Sequence, residues 1–516
     1  MKIPPFIVAL IVWAITHLTG VSEMFFLEWN EIALVFDVLQ LLFIWLIFEY
    51  IHHLYVHKND IYYKINIKIS IIYMSIGLVL LLLTWPGNWE WDSIFCLSEA
   101  QYYRLFPWQH YLTNSFYVIY LKTLPFPAGV IFFQLLLAAL ISGYCVATVA
   151  RIYSIKNYYI LVLPMLAPPL LAYILSGFRM GLYSYLELGL VMQLLDLYKS
   201  KSVSNTQILA LCLTGIIVAS WRTEAILYIL FIPKILLFVS RKGGLSVRIF
   251  MLASVVIIVG TLLSNSYNNK LNDPQGTNGY NRYALTAMVE PASKLTMKAL
   301  DNGDEVEVNL VGRVFNLEYV DQHRDLSGER IFWDGGIRDG YNKEDFYAFV
   351  DGYKKLALKY PVVTLKSMGK VFIDSIGLPG KDGRIAQRIN IEWDIRNDEN
   401  WNKLIKAPLR TPWNDKLRTS TLKTIRGRGV LAVLTWNTLI PFMMGLMALI
   451  ILFKKKQWLL VALLCMVLIK IPIVFITASA PYLMYYLSVC LVSTFFFVTI
   501  AVKIYEIKKT GGFSNV

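Results

Sequence analysis

Apolar runs of about 20 residues, the length that crosses roughly 30 Å of hydrocarbon, recur along almost the whole chain between short polar connections. They predict about twelve transmembrane helices by that length criterion, at 3–20, 32–51, 67–85, 127–150, 157–175, 180–198, 206–220, 223–240, 247–264, 430–453, 457–477 and 482–503. The first run follows a single lysine and lacks a small-residue cleavage pattern, so it is expected to be a retained span. The pattern is interrupted once, between about 265 and 429. There "EVEVNLVGRVFNL" alternates with period two and predicts strands, and "NKEDFYAFVDGYKKLALKYPVVTLKSMGKVFIDSIGL" has helical spacing. The expected fold is an all-α polytopic membrane protein with a smaller mixed α/β extracytoplasmic domain. It divides into a membrane body over 1–264, with an external loop at 86–126, an outer domain over 265–429, and C-terminal spans with a tail over 430–516.

Orientation follows from lysine and arginine, which accumulate in cytoplasmic connections. "HLYVHKNDIYYKINIK", "ARIYSIKN", "YKSKSVSN", "SRKGGLSVR", "KKK" and the tail from Lys503 all fall on one side when the spans alternate. That side is assigned to the cytoplasm. Composition agrees: 56% of residues are hydrophobic, 16% are charged, and the mean hydropathy is +0.52. The net charge of +14 is accounted for by membrane anchoring, and no basic soluble face asks for nucleic acid. Of five cysteines only Cys96 falls in an external segment, so neither a disulfide framework nor a metal cluster is indicated. His52, His53 and His57 fall on the cytoplasmic side, where packing is the expected role.

The external connections carry the candidate chemistry. The loop "NWEWDSIFCLSEAQYYRLFPWQHYLTN", residues 88–114, interleaves aromatic and ionisable side chains. In an extended segment Glu90 and Asp92 share a face, between Trp89 and Trp91. The following stretch has helical spacing and is expected to lie at the interface as an amphipathic helix, presenting Arg104, Gln109 and His110. A plain aromatic belt with solvated acids is the competing explanation. Arg179 and Arg222 sit at outer span ends against the positive-inside bias, with Glu224 close behind. Such charges are functional candidates, and an arginine fork suits a lipid phosphate. Snorkelling or helix-to-helix ion pairs compete with that reading, and Lys470 fits pairing within the bundle.

The loop from "PGNWEWDS" to "WQHYLTN" resembles the first functional external loop of C-type membrane glycosyltransferases. More loosely, "FRMGLYSYLELGLVMQLL", "SWRTEAIL" and "LALKYPVVTLKSMGKVFI" are similar to segments of bacterial members of that superfamily. Many relatives have a lysine or acidic pair where this chain has Arg179 and Met180, and "SAPYLMYYL" lacks an arginine often found in the last external turn. The resemblance implies a polyprenyl-phosphate-linked sugar donor and a glycan or lipid-linked acceptor; no cofactor is expected from the sequence, a divalent metal being compatible with it but not indicated. Asp92 would be the catalytic base, and Arg222 and Glu224 would line the donor site. Transfer needs a base for the acceptor hydroxyl and positive charge for the departing phosphate; Arg222, Arg179 and Arg104 are the candidates for the latter. One displacement inverts the anomeric centre. Trp333, Trp393 and Trp413 of the insertion are candidates for stacking on sugars, with core packing the favoured role for most of them. The implied location is the bacterial plasma membrane, with the site facing outward. Two rivals stay open: a polysaccharide polymerase or ligase, and a lipid-linked saccharide transporter, which would show repeats or paired broken helices.

Overall fold

The computed structural model describes residues 3–200, 203–243, 247–272, 279–377, 412–427, 429–478 and 480–509. Its described residues are helical throughout, with two isolated β-bridges and no strand. Seven helices are long and apolar enough to cross a membrane, or eight if the bent pair Gly429–Trp436 and Leu439–Lys454, which meet at 43°, forms one span. Twelve are therefore not found by that test, and the shortfall has local causes. The expected span at 157–175 divides into a 3-10 segment, Tyr158–Leu166, and a short helix, Pro168–Ile174. Pro164, Pro168 and Pro169 remove amide donors there and crowd the preceding turns. The run at 180–198 does form one helix, Arg179–Lys199, but Glu187 and Asp196 lower its hydropathy. The helices Pro5–Leu18 and Asn205–Trp221 are apolar but short.

Helix Arg179–Lys199 is buried over most of its surface and packs against Pro127–Tyr153, Asn205–Trp221 and Leu487–Lys509. Helices Ile61–Leu83 and Pro127–Tyr153 come close because small residues face each other: a Cβ on Gly143 would stand 2.1 Å from the Ser70 hydroxyl. Buried Lys122 ties the first two helices to the loop, bonding Asp37 at 2.6 Å and Glu23 at 2.8 Å. His17 bonds the same Asp37 at 3.0 Å.

The insertion corrects the strand expectation. Glu305–Val311 is a helix, followed by Leu317–Gln322. The alternating Glu-Val letters suggested period two, yet Val306 is exposed while Val308 and Val311 are buried, which is helical spacing. The expected helical run is two helices, Lys343–Lys359 and Pro361–Ser375, separated where Pro361 starts a new first turn. Together with Arg282–Asn302 and Gly328–Trp333, these enclose a second hydrophobic core of residues such as Val289, Phe315 and Phe349. Trp393 lies outside the described residues, and Trp413 falls in helix Pro412–Arg426.

Candidate functional site

Three connections and the second unit meet at one end of the bundle. Asn88 and Ser176 form a parallel bridge, with the Asn88 amide donating to the Leu175 carbonyl at 2.8 Å and Gly177 donating to Asn88 at 3.0 Å. Gly87 (φ +97°) and Gly177 permit this approach: a Cβ would meet Ile131 at 2.8 Å in the first case and the Trp89 ring at 2.6 Å in the second. Trp89 is buried against Tyr117, whose hydroxyl donates to the Gly177 carbonyl.

Beyond the bridge, the loop departs from the extended form expected of it. Glu90 caps helix Trp91–Ala100 in a capping box with Ser93, so Asp92 lies in the first helical turn. Glu90 and Asp92 thus do not share a face as alternating strand residues would. The single interfacial helix expected next is also absent. Tyr103 and His110 adopt left-handed backbone conformations, Pro107–Gln109 is a 3-10 turn, and Tyr111–Thr123 is a separate, largely buried helix. The end of helix Val247–Asn272 clamps the turn: Asn268 accepts from the Tyr111 amide at 2.9 Å and donates to the Pro107 carbonyl at 3.1 Å.

Gln109 joins the two principal candidates. Its side-chain amide donates to Asp92 Oδ2 at 2.8 Å, while its backbone carbonyl accepts from Arg179. The same Arg179 nitrogen donates to the Trp221 carbonyl at 3.1 Å. Among the described residues Arg179 has no ion-pair partner, although it is only 7% exposed. Trp221 is held by its indole N–H on Thr113 at 2.9 Å. The next residue, Arg222, pairs with Glu224 at 2.6 Å and lies 5.3 Å from the Tyr485 ring centre. Asp92 is half-buried, and burial pushes its carboxyl above the ordinary carboxylate range, opposed by the Arg179 charge.

His110 is buried and accepts the Leu112 amide at Nδ1, 3.4 Å away, which places the proton of the neutral ring on Nε2. Burial and the nearby Arg179 charge hold its pKa down to about 3, so it is neutral at pH 7. Arg104 and Trp91 are both exposed. Arg104 has its guanidinium 4.9 Å from the Tyr102 ring, and Trp91 is 61% exposed.

The second unit adds groups that sequence reasoning did not single out. Glu329, on helix Gly328–Trp333, accepts from the Tyr482 hydroxyl. Burial raises its carboxyl above its usual range, countered by that hydrogen bond, and Asp92 is within electrostatic reach. Tyr283 is within reach of both Arg179 and Arg222. Its ring meets Trp108 edge-on at 5.2 Å, and Trp108 also contacts Trp333 at 5.3 Å. Trp108 therefore fastens the loop to the unit that carries Glu329, which makes Trp333 a packing partner of the loop. Of these residues, Trp333 was a candidate from sequence for stacking on sugars, and Trp108 had the weaker signal of an aromatic within the ionisable loop. A comparison of the chain with protein families, characterised proteins and solved structures finds no match.

Proposed function

We propose that this chain is a multi-pass membrane glycosyltransferase that moves a sugar from a polyprenyl-phosphate donor to a glycan or lipid-linked acceptor, with Asp92 as base. The observation that carries the reading is the division of charge across Gln109. Asp92 and Arg179 are held at opposite ends of one residue rather than paired to each other. A carboxylate and a guanidinium kept apart in this way leave each able to meet a different part of one substrate.

In the step proposed, Asp92 takes the acceptor hydroxyl proton as the hydroxyl oxygen bonds the anomeric carbon. The bond from that carbon to the phosphate oxygen breaks, and the polyprenyl phosphate leaves with its charge against Arg179. The configuration inverts because there is one displacement. Arg222 is already neutralised by Glu224, so Arg179 is the better phosphate ligand and Arg222 sets the shape of the turn. Arg104, exposed over the Tyr102 ring, is given no part in this step. Glu329 and Tyr482 border the acceptor side. The arrangement suits an outward-facing site in a bacterial plasma membrane, with the basic connections at the opposite end.

The test is transfer of labelled sugar from a polyprenyl phosphate by purified protein, comparing wild type with Asp92→Asn. Movement of one sugar per turnover, lost in the variant while donor still binds, is the expected result. Transfer only of whole oligosaccharides would favour the polymerase or ligase reading. No transfer by wild type from any polyprenyl-phosphate sugar, with transmembrane movement of the lipid instead, would replace the proposal with transport.

A further inference from the structure

The end of the bundle away from Asp92 contains a cavity of about 230 Å³ whose walls come from four sequence-distant segments. Tyr153 ends one helix; Leu195, Tyr198 and Lys199 end helix Arg179–Lys199; Phe238 belongs to helix Tyr228–Gly243; and Lys456 and Gln457, in the connection after Leu439–Lys454, lead into Trp458 at the start of the next helix. Helix Arg179–Lys199 has 21 residues and spans about 30 Å at its ordinary rise, so this cavity and the Arg179 site lie at its two ends. We infer that the cavity binds a phosphate group, supplied either by an anionic lipid headgroup or by a soluble phosphate.

Two independent features support this. The first is the lining, in which Lys199 and Lys456 stand over an aromatic and aliphatic wall that includes Phe238, Trp458 and Leu460. Cationic pockets between membrane helices of this kind take anionic headgroups, the ammonium groups meeting phosphate and the apolar wall meeting the adjoining chains. Among the described residues neither lysine has a carboxylate partner; Lys199 instead lies 5.4 Å from the Tyr198 ring centre. Two carboxylates at this end are engaged elsewhere, Asp196 by Arg151 and Glu506 by the amides of Lys156 and Asn157.

The second feature is the backbone at Lys456. Gln457 donates to the Leu452 carbonyl and Lys456 to that of Phe453, both at 3.0 Å, closing the helix in a Schellman turn. The left-handed position of that turn ordinarily belongs to glycine, yet Lys456 occupies it with φ +55°. A side chain held at a strained position beside a cavity points to a use for that side chain.

The experiment measures thermal unfolding of the full-length protein in a zwitterionic detergent, with phosphatidylglycerol, phosphatidylcholine or inorganic phosphate added. Phosphatidylglycerol should raise Tm by several degrees where phosphatidylcholine does not. The shift should disappear in Lys199→Gln/Lys456→Gln and persist in Lys58→Gln/Lys64→Gln, which removes the same charge from the same end of the bundle. Lys456→Gly keeps the turn in its preferred residue. It should unfold at or above the wild-type temperature in detergent alone and show a much smaller lipid shift. Inorganic phosphate reproducing the wild-type shift would identify the soluble source. Equal loss of the shift in both glutamine pairs, full retention of it in Lys456→Gly, or no wild-type shift with either phosphate probe would overturn the inference. Transfer activity plays no part in the readout, so the inference stands or falls apart from the proposed reaction.

Discussion

Arg179 and Lys470 are both cations withdrawn from solvent, and they are satisfied in opposite ways. Lys470 is completely buried and meets the equally buried Glu187, with the Tyr183 hydroxyl at 2.8 Å and the Ser488 hydroxyl at 3.3 Å completing its shell. Glu187 also accepts from the Tyr228 hydroxyl. Arg179 has two backbone carbonyls and, among the described residues, no carboxylate in an ion pair. A buried ion inside a closed set of partners has nothing left to offer a ligand. One hydrogen-bonded only to carbonyl dipoles, with carboxylates near but not in contact, keeps a charge that a ligand can meet directly. Burial alone therefore does not distinguish a candidate ligand position; among the described residues, the lack of an ion-pair partner does.

The largest effect expected from this contrast is on folding. Lys470→Met strands Glu187 and should cost about 3–5 kcal/mol; adding Glu187→Gln should recover much of that in the same unfolding measurement. A single variant as stable as wild type would break the comparison. Asp92→Asn should lower transfer about 100-fold or more per folded molecule while donor binding survives; near-normal turnover would remove Asp92 as the base. Arg179→Lys keeps the charge but loses the planar fork, so donor use should weaken by roughly 10- to 100-fold, the scale of a charge-assisted hydrogen bond. Its unfolding temperature should change little, whereas a large drop would move Arg179 into the same class as Lys470.

A smaller effect sharpens the contrast through pH. Burial raises the Asp92 carboxyl above its ordinary value, so its contribution to stability is complete below the unfolded pKa of about 4 and is lost as pH rises through the folded value. Asp92→Asn should therefore unfold at a slightly higher temperature than wild type at pH 7, and the gain should vanish below about pH 4. A gain that grew on acidification would reverse the assignment. The smallest expected change is in Glu90→Gln, since Glu90 works as a helix cap. A loss of transfer larger than that of Asp92→Asn would shift the base to Glu90.

Arg222 needs a different treatment from the other two arginines. It was a donor-site candidate on sequence, yet its 2.6 Å pair with Glu224 means that Arg222→Ala leaves a buried carboxylate alone. The joint replacement Arg222→Gln/Glu224→Gln is the cleaner probe of its role.

Much of the site's outline was legible because membrane topology constrains charge. Arg179 and Arg222 stood out for breaking the lysine and arginine bias, and Asp92 for its place in a crowded loop. The local form of that loop was obscured by competing periods. Glu90 and Asp92 match strand spacing, but Ser93 three residues after Glu90 completes a capping box, and the helix wins. Glu329 was invisible for another reason: within a mixed-charge segment it looks like any solvated acid. Only packing against Tyr482, 153 positions away, removes it from water. The same reasoning covers the failed strand expectation at 305–317, where the burial of Val308 and Val311 against the second core outweighed an alternating pattern.

The contact between Glu329 and Tyr482 also sets a timetable for biogenesis. Asp92 and Tyr482 are roughly 390 residues apart in the chain. At ribosomal rates of about 5–20 residues per second, some 20–80 seconds separate their synthesis. Asp92, Gln109 and Arg179 are made first of this group, Glu329 later, and the tyrosine that holds Glu329 after it. Whatever chemistry the cluster performs, a nascent or prematurely stopped chain carries an unfinished version of it. Synthesis of Tyr482 is thus the step that completes the cluster.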